Sequence, residues 1–220
     1  MTEVFRDRRH AGRRLATLLL PYAEADPVVL ALPRGGVPVG YEIAQRLRAP
    51  LDVLVVRKLG VPGHEELAMG ALASGGARVL NEDVVRLLGL GEAEIERVAA
   101  QEQQELERRE RLYRGERPPT PVAGRTVILV DDGLATGATM RAAARSLRER
   151  EPRTLVAAVP VGAPDSCARL ARHVDRMVCL EQPPRFFGVG RWYRQFLQTT
   201  DDEVRRLLGA AAETASSARP

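Results

Sequence analysis

Residues 126–140 constrain this chain more than any other stretch. Five strand-forming residues, Thr126 through Val130, run straight into two adjacent carboxylates, Asp131 and Asp132. Gly133, Leu134 and Ala135 then lead into Thr136-Gly137-Ala138-Thr139, where a helix-period pattern opens. A buried strand that turns directly into a helix start belongs in a parallel α/β sheet. The helix start carries unpaired N–H groups and a partial positive charge, so it can receive a phosphate. Gly137 lets the backbone approach a phosphate oxygen, and the Thr136 and Thr139 hydroxyls can donate to the same anion. Asp131 and Asp132 would repel a phosphate at contact. They suit the vicinal hydroxyls of a sugar or a hydrated cation. The turn therefore predicts a sugar-phosphate site, against the bland alternative of a capped turn with an exposed acidic pair. No lysine follows the glycine, so this is not the nucleotide loop G-x-x-x-x-G-K-[ST].

Apolar β-rich runs and helix-period segments alternate elsewhere too. Strands are predicted at Val28–Leu32, Leu51–Val56, Thr126–Val130, Thr154–Pro160 and Val174–Leu180, with helices at about 38–48, 137–150 and 164–173. This predicts an α/β fold, a Rossmann-like parallel sheet flanked by helices. The 220 residues suffice for one domain with its own core. Residues 77–120 read as a helical insertion, with Asn81 capping a short helix and a long, charged helix from Glu92 to Tyr113 laced by i,i+4 pairs. Residues 213–220 read as a flexible tail. The N-terminal segment carries both arginines and acids and reads as an amphipathic helix rather than a leader. No apolar run reaches membrane-span length. Cys167 and Cys179 read as two reduced core thiols, which suits a cytoplasmic protein.

Two further strand ends carry chemistry. Leu32-Pro33-Arg34-Gly35-Gly36 places a Gly-Gly at the carboxyl end of the first strand, offering backbone N–H groups to an anion. In a parallel sheet this loop and the acidic turn face one crevice. The second predicted strand ends in Arg57-Lys58-Leu59-Gly60, two cations expected to point into the same crevice. Lys58 is the only lysine of the chain, and the net charge is +4, a balance suited to an anionic substrate. Of the nine Phe, Tyr and Trp residues, five fall at Phe186, Phe187, Trp192, Tyr193 and Phe196. Such crowding predicts either a stacking platform or a small satellite core.

The turn at 131–139 resembles the 5-phosphoribosyl 1-diphosphate (PRPP) motif of the type I phosphoribosyltransferases. The overall resemblance is to bacterial members of that family whose acceptor is not assigned. It implies a C-terminal hood over residues 181–200 and Mg²⁺-dependent transfer of a 5-phosphoribosyl group from PRPP to a nitrogen nucleophile of a nucleobase, with release of pyrophosphate, within nucleotide metabolism. By resemblance, Asp131 and Asp132 bind the ribose hydroxyls, and the metal through water. Ala135, Thr136, Gly137, Ala138 and Thr139 wrap the 5-phosphate. Arg34, Gly35 and Gly36 form a pyrophosphate loop, usually with a cis peptide. Arg57 and Lys58 open a flexible loop that neutralises the leaving group. Phe187 stacks on the base and Val189 meets its edge.

The chain departs from 6-oxopurine members in two ways. Ala135 stands where they carry a basic aspartate, and no second lysine is present to read a purine oxygen. The acceptor therefore stays open, with Glu65, Glu66 and Glu181 as candidate general bases. Two other readings remain. One is a PRPP-binding regulator that contacts nucleic acid through Arg6, Arg8, Arg9, Arg13 and Arg14; a solvated helix is favoured over it. The other is a hydrolase of a phosphoribosyl compound. No membrane partner is expected, and self-association is left open.

Overall fold

The computed structural model describes residues 4–217. Five strands form one parallel sheet: β1 (Pro27–Ala31), β2 (Leu51–Val53), β6 (Thr126–Val130), β7 (Thr154–Val161) and β8 (Arg176–Glu181), in the order β2-β1-β6-β7-β8. Every residue of β1, β2 and β6 is buried, as expected for strands covered on both faces. Side chains alternate across the sheet. Val29, Ala31, Ile128 and Val130 face α1 (Arg8–Leu19), α2 (Gly36–Leu47) and α7 (Asp201–Ser217). Val28, Leu30, Val127 and Leu129 face α5 (Ala138–Arg148) and α6 (Pro164–Ala171).

The chain leaves β1 toward β2 on one side and returns to β6 on the other. The order therefore reverses between β1 and β6, and a crevice opens there at the carboxyl ends of the strands. Both glycine-bearing loops lie at this switch point.

A second sheet departs from expectation. The strand expected over Leu51–Val56 stops at Val53. β3 (Val56–Val61) then pairs with β4 (His64–Ala73), and β4 with β5 (Arg78–Leu80), all antiparallel. The segment expected as a flexible loop after Lys58 is thus a hairpin, turned at Pro62-Gly63, where Gly63 has φ +76°. The small residues of β4 hid it: at Gly70 a Cβ would lie 2.5 Å from the Val79 carbonyl oxygen. The Glu65 and Glu66 side chains lie outside the described residues.

The insertion holds α3 (Glu82–Leu88) and α4 (Glu92–Arg114) besides β5. The i,i+4 pairs of α4 are present, Arg109–Glu105 at 2.8 Å among them. Its other face is buried through Ile95, Ala99, Leu106 and Tyr113, so the helix is docked rather than merely solvated. α7, which starts behind the Thr200 hydroxyl (Glu203 N–H donor, 3.1 Å), runs to Ser217, through much of the expected tail. Residues 218–220 of that tail lie outside the described residues. Among the described residues, no helix is long and apolar enough to cross a membrane.

Candidate active site

The β1 and β6 loops touch. Leu32 N–H donates to the Val130 carbonyl at 2.9 Å, extending the ladder to the loop. The Pro33–Arg34 peptide is cis. A Cβ on Gly35 would collide with the Asp132 carboxylate, and one on Gly36 would lie 2.7 Å from the Val130 carbonyl oxygen. Both positions need glycine for close approach, so Gly35-Gly36 and Asp131-Asp132 form one wall. At the other end of the turn, Gly137 adopts φ +74° and precedes α5. Ala135, Thr136, Ala138 and Thr139 are exposed around it. Arg141, one turn into α5, donates to the Thr136 carbonyl at 2.7 Å and braces the loop.

The two carboxylates sit in a shielded corner. Asp132 N–H donates to Asp131 Oδ1 at 2.8 Å. Burial, and next the Asp132 charge, push the Asp131 carboxyl well above the usual carboxylate range. Burial also raises Asp132, against the Arg8 guanidinium, which lowers it. Arg8, grouped in the sequence only with the other N-terminal arginines, belongs to this corner. Its Nε lies 2.7 Å from Asp132 Oδ2, and Nη1 donates to the Leu197 carbonyl at 2.7 Å. The guanidinium sits 3.9 Å from the Phe196 ring centre. Nothing in one dimension signals an ion pair across 124 positions.

The other N-terminal arginines are also engaged. Arg6 pairs with Asp7, Arg9 and Arg13 with Glu42, and Arg14 with Glu181 at 3.6 Å. The helix reads as an ion-paired face rather than a bare cationic one. The Arg14 contact also occupies Glu181.

The aromatic cluster forms the back of the corner. Tyr193 donates its hydroxyl to the Asp132 carbonyl at 2.6 Å, and burial, then the Asp132 charge, raise its pKa. It stacks on Phe196 with centroids 5.0 Å apart. A 3-10 turn, Val189–Trp192, rests on Gly133. A Cβ there would lie 2.5 Å from Val189 Cγ1. Gly133→Ala is therefore expected to cost about 1–3 kcal/mol of overpacking, read by urea denaturation. Wild-type stability in this variant would mean that the hood does not seat on the turn.

Four expected residues lie apart from this wall or at its edge. Arg57 and Lys58 are neighbours on β3 and so point to opposite faces. Arg57 is tied to Glu102 of α4 at 2.6 Å. Lys58 shares a cavity of about 390 Å³ with Ala138 and Thr139, beside the Gly137 turn. Phe187 is 77% exposed, with the Arg191 guanidinium 6.0 Å from its ring centre. Arg34 reaches Asp201 at the start of α7, 3.7 Å away. The same carboxylate accepts from Tyr113 of α4 at 2.7 Å, and burial, then Asp201, push that hydroxyl up to about 12.

Two carboxylates against one guanidinium leave a net negative corner. It fits a hydrated divalent cation or sugar hydroxyls, both of which stabilise the ionised form. Among the described residues, no cluster of three or more His, Cys, Asp or Glu side chains could hold a metal by itself. A cation here would take most ligands from substrate and water, as Mg²⁺ commonly does.

The parallel sheet brings the helix start after Gly137, the acidic pair and the glycine wall together at its switch point, the place where α/β domains of this class hold their ligands. Residues 7–194 match the phosphoribosyl transferase domain family, and the chain belongs to it. Two Mycobacterium tuberculosis proteins, provisionally named phosphoribosyl transferases, are each 50% identical over 209 residues, 95% of this chain and 47% of theirs. The chain thus spans about half the length of these curated relatives. A crystal structure of a Thermus thermophilus protein superposes with a TM-score of 0.84 at 45% identity, covering 93% of this chain and 97% of that one. A uracil phosphoribosyltransferase from a Nocardioides strain is 40% identical over 60 residues, 27% of this chain and 28% of that protein.

Proposed function

We propose that this chain, as a single domain with a helical insertion at 77–120 and a hood at 181–200, transfers the 5-phosphoribosyl group of PRPP to a nitrogen nucleophile, of which a nucleobase is the favoured class. The observation that carries this reading is the shared wall of Gly35-Gly36 and Asp131-Asp132 beside the Thr136–Thr139 helix start. The 5-phosphate would lie on the N–H groups of 135–139, as anions do at helix starts. Asp131 and Asp132 would accept from the ribose hydroxyls. Their charge stabilises the positive ribose ring that develops as the C1–O bond to pyrophosphate breaks and the C1–N bond forms. Gly35 and Gly36 bring backbone close to the departing pyrophosphate, with Arg34 and Lys58 as its counter-charges. Arg57 joins them only by leaving Glu102. Mg²⁺, held through water by Asp131 and Asp132, would neutralise diphosphate charge. Phe187, exposed on the hood, and Val189 are offered to the base.

A panel of purine and pyrimidine bases, each incubated with PRPP and Mg²⁺, tests the reading. The expected result is pyrophosphate release matched one to one by a nucleoside monophosphate for one base class. Ribose 5-phosphate formed without any acceptor would replace the transferase by a hydrolase. Failure of PRPP to bind in calorimetry would remove both.

A further inference from the structure

We infer a second anion site that takes an oligophosphate chain in the hollow between β5, α5 and the end of α6, beyond the Lys58–Thr139 end of the groove that adjoins the β1–β6 crevice. Its existence does not depend on how the crevice is used. The groove begins beside Thr139 and follows α5 along the face carrying Arg141, Ala142 and Arg145. It then opens into a contiguous hollow of about 530 Å³ lined by Arg78, Arg145, Arg148, Arg172 and His173. At 1.5 Å rise per residue, Arg145 and Arg148 lie roughly 9 and 14 Å beyond Thr139. That is too far to serve the same phosphate.

The charge in this hollow is unbalanced. Arg78 is paired with Glu96, and Arg148 with Asp175 at 2.8 Å. Among the described residues, Arg145 and Arg172 have no carboxylate partner. Glu149 is the one acid among the residues lining it, and no ion pair holds it to either arginine. The mutual repulsion registers on the neighbours. Burial and then Arg145, Arg141 and Arg172 lower the His173 pKa, while burial and then Arg169 and Arg145 lower that of Arg141. Like charges gathered in a concave surface hollow add their fields and attract a polyanion, most strongly at low salt. Guanidinium forks match phosphate oxygens two at a time. The cations follow one another along the groove, so a linear chain of phosphates fits better than a single phosphate. Val79 and Leu80, shared by both parts of the groove, give an apolar wall where a nucleoside could rest. The α5 cations from Arg141 to Arg148 span only about two helix turns, a length that suits a short phosphate chain better than a nucleic-acid strand.

Calorimetry of the whole chain at low salt, with tripolyphosphate and with ATP as probes, tests this. Wild type is expected to bind tripolyphosphate, and the exposed pair Arg145→Ser and Arg172→Ser to weaken it roughly tenfold or more per arginine, with PRPP affinity unchanged. Arg145→Lys with Arg172→Lys should restore part of the loss. Equal affinity for ATP and tripolyphosphate would assign the phosphate chain alone; tenfold tighter ATP would assign a nucleotide. The proposal is overturned if wild type fails to bind tripolyphosphate, or if the double serine variant binds it as wild type does. It is also overturned if a single-stranded RNA binds through these two arginines and tripolyphosphate does not compete.

Discussion

Replacing Asp132 by asparagine is expected to lower pyrophosphate release from PRPP by about 10²–10³-fold, the usual cost of removing one preorganised electrostatic group. The substitution keeps the shape of the corner and the close approach of Gly35. It removes the negative charge nearer the hood and leaves Arg8 facing a neutral amide. The Asp131 carboxyl should then ionise more readily, because the Asp132 charge is one of the two things that raise it. Two causes would contribute to the loss: a weaker field at the ribose and a loosened Arg8. They are separable. Arg8→Gln alone should cost less, because Tyr193 still fixes the Asp132 backbone through its 2.6 Å hydrogen bond. The double variant should cost much less than the product of the singles, because one contact is removed twice. Kinetics of the four proteins against a fixed acceptor measure this. Asp132→Asn activity within a few-fold of wild type would sink the assigned role.

The largest stability effect is expected at Arg114, not in the crevice. This arginine ends α4 in the interior, with Nε 3.1 Å from Asp52 Oδ1, Nη1 3.2 Å from Glu110 and Nη2 donating to the Val53 carbonyl at 3.1 Å. Asp52, also buried, accepts from the backbone of Val53 and Thr120. The cluster fastens the insertion to β2, the edge strand that carries the chain toward Lys58. Arg114→Leu strands a buried carboxylate, which typically costs about 3–5 kcal/mol. Urea denaturation followed by circular dichroism should show that loss. Replacing Asp52 by leucine as well should recover much of it, since apolar pairs often match buried ion pairs in stability. A single variant as stable as wild type would mean that water reaches Asp52.

The parallel sheet was readable because burial on both faces leaves near-continuous apolar runs. Thr126–Val130 is the clearest: strand, acids and helix start follow one another locally, and β6 has those same ends. The hairpin was not readable. Ala68, Gly70, Ala71 and Ala73 give neither a β-branched run nor an apolar alternation, and the pairing that makes them a strand lies across the turn. α7 was legible in principle. Val204, Leu207, Leu208 and Ala211 are buried at helical spacing behind Thr200, but the small and polar residues that follow carry the composition of a tail. For the crevice, local motifs sufficed where both partners lie in one turn. Arg8 and the seating of Val189 on Gly133 join residues far apart in the chain, and no spacing rule reaches them. Arg57 and Lys58 were adjacent in sequence and so were grouped, yet a strand separates neighbours to opposite faces.

The closure of the corner also has an order in time. Phe5 forms a bridge with Tyr193, its N–H donating to the Trp192 carbonyl at 2.8 Å and its carbonyl accepting from Arg194 at 2.8 Å. Arg8 bonds both Asp132 and Leu197. On a ribosome that emits the chain from its N-terminus, the turn at 131–139 and the sheet around it can form, and the first helix can pack on α2, before residues 192–197 are made. The Arg8–Asp132 pair can form in that interval, but the Tyr193 hydroxyl reaches the Asp132 carbonyl, and Leu197 the Arg8 guanidinium, only after residues 192–197 emerge and return to meet residues 5–8. A nascent chain halted before that point would hold the acidic corner without the hood residues that brace its second acid.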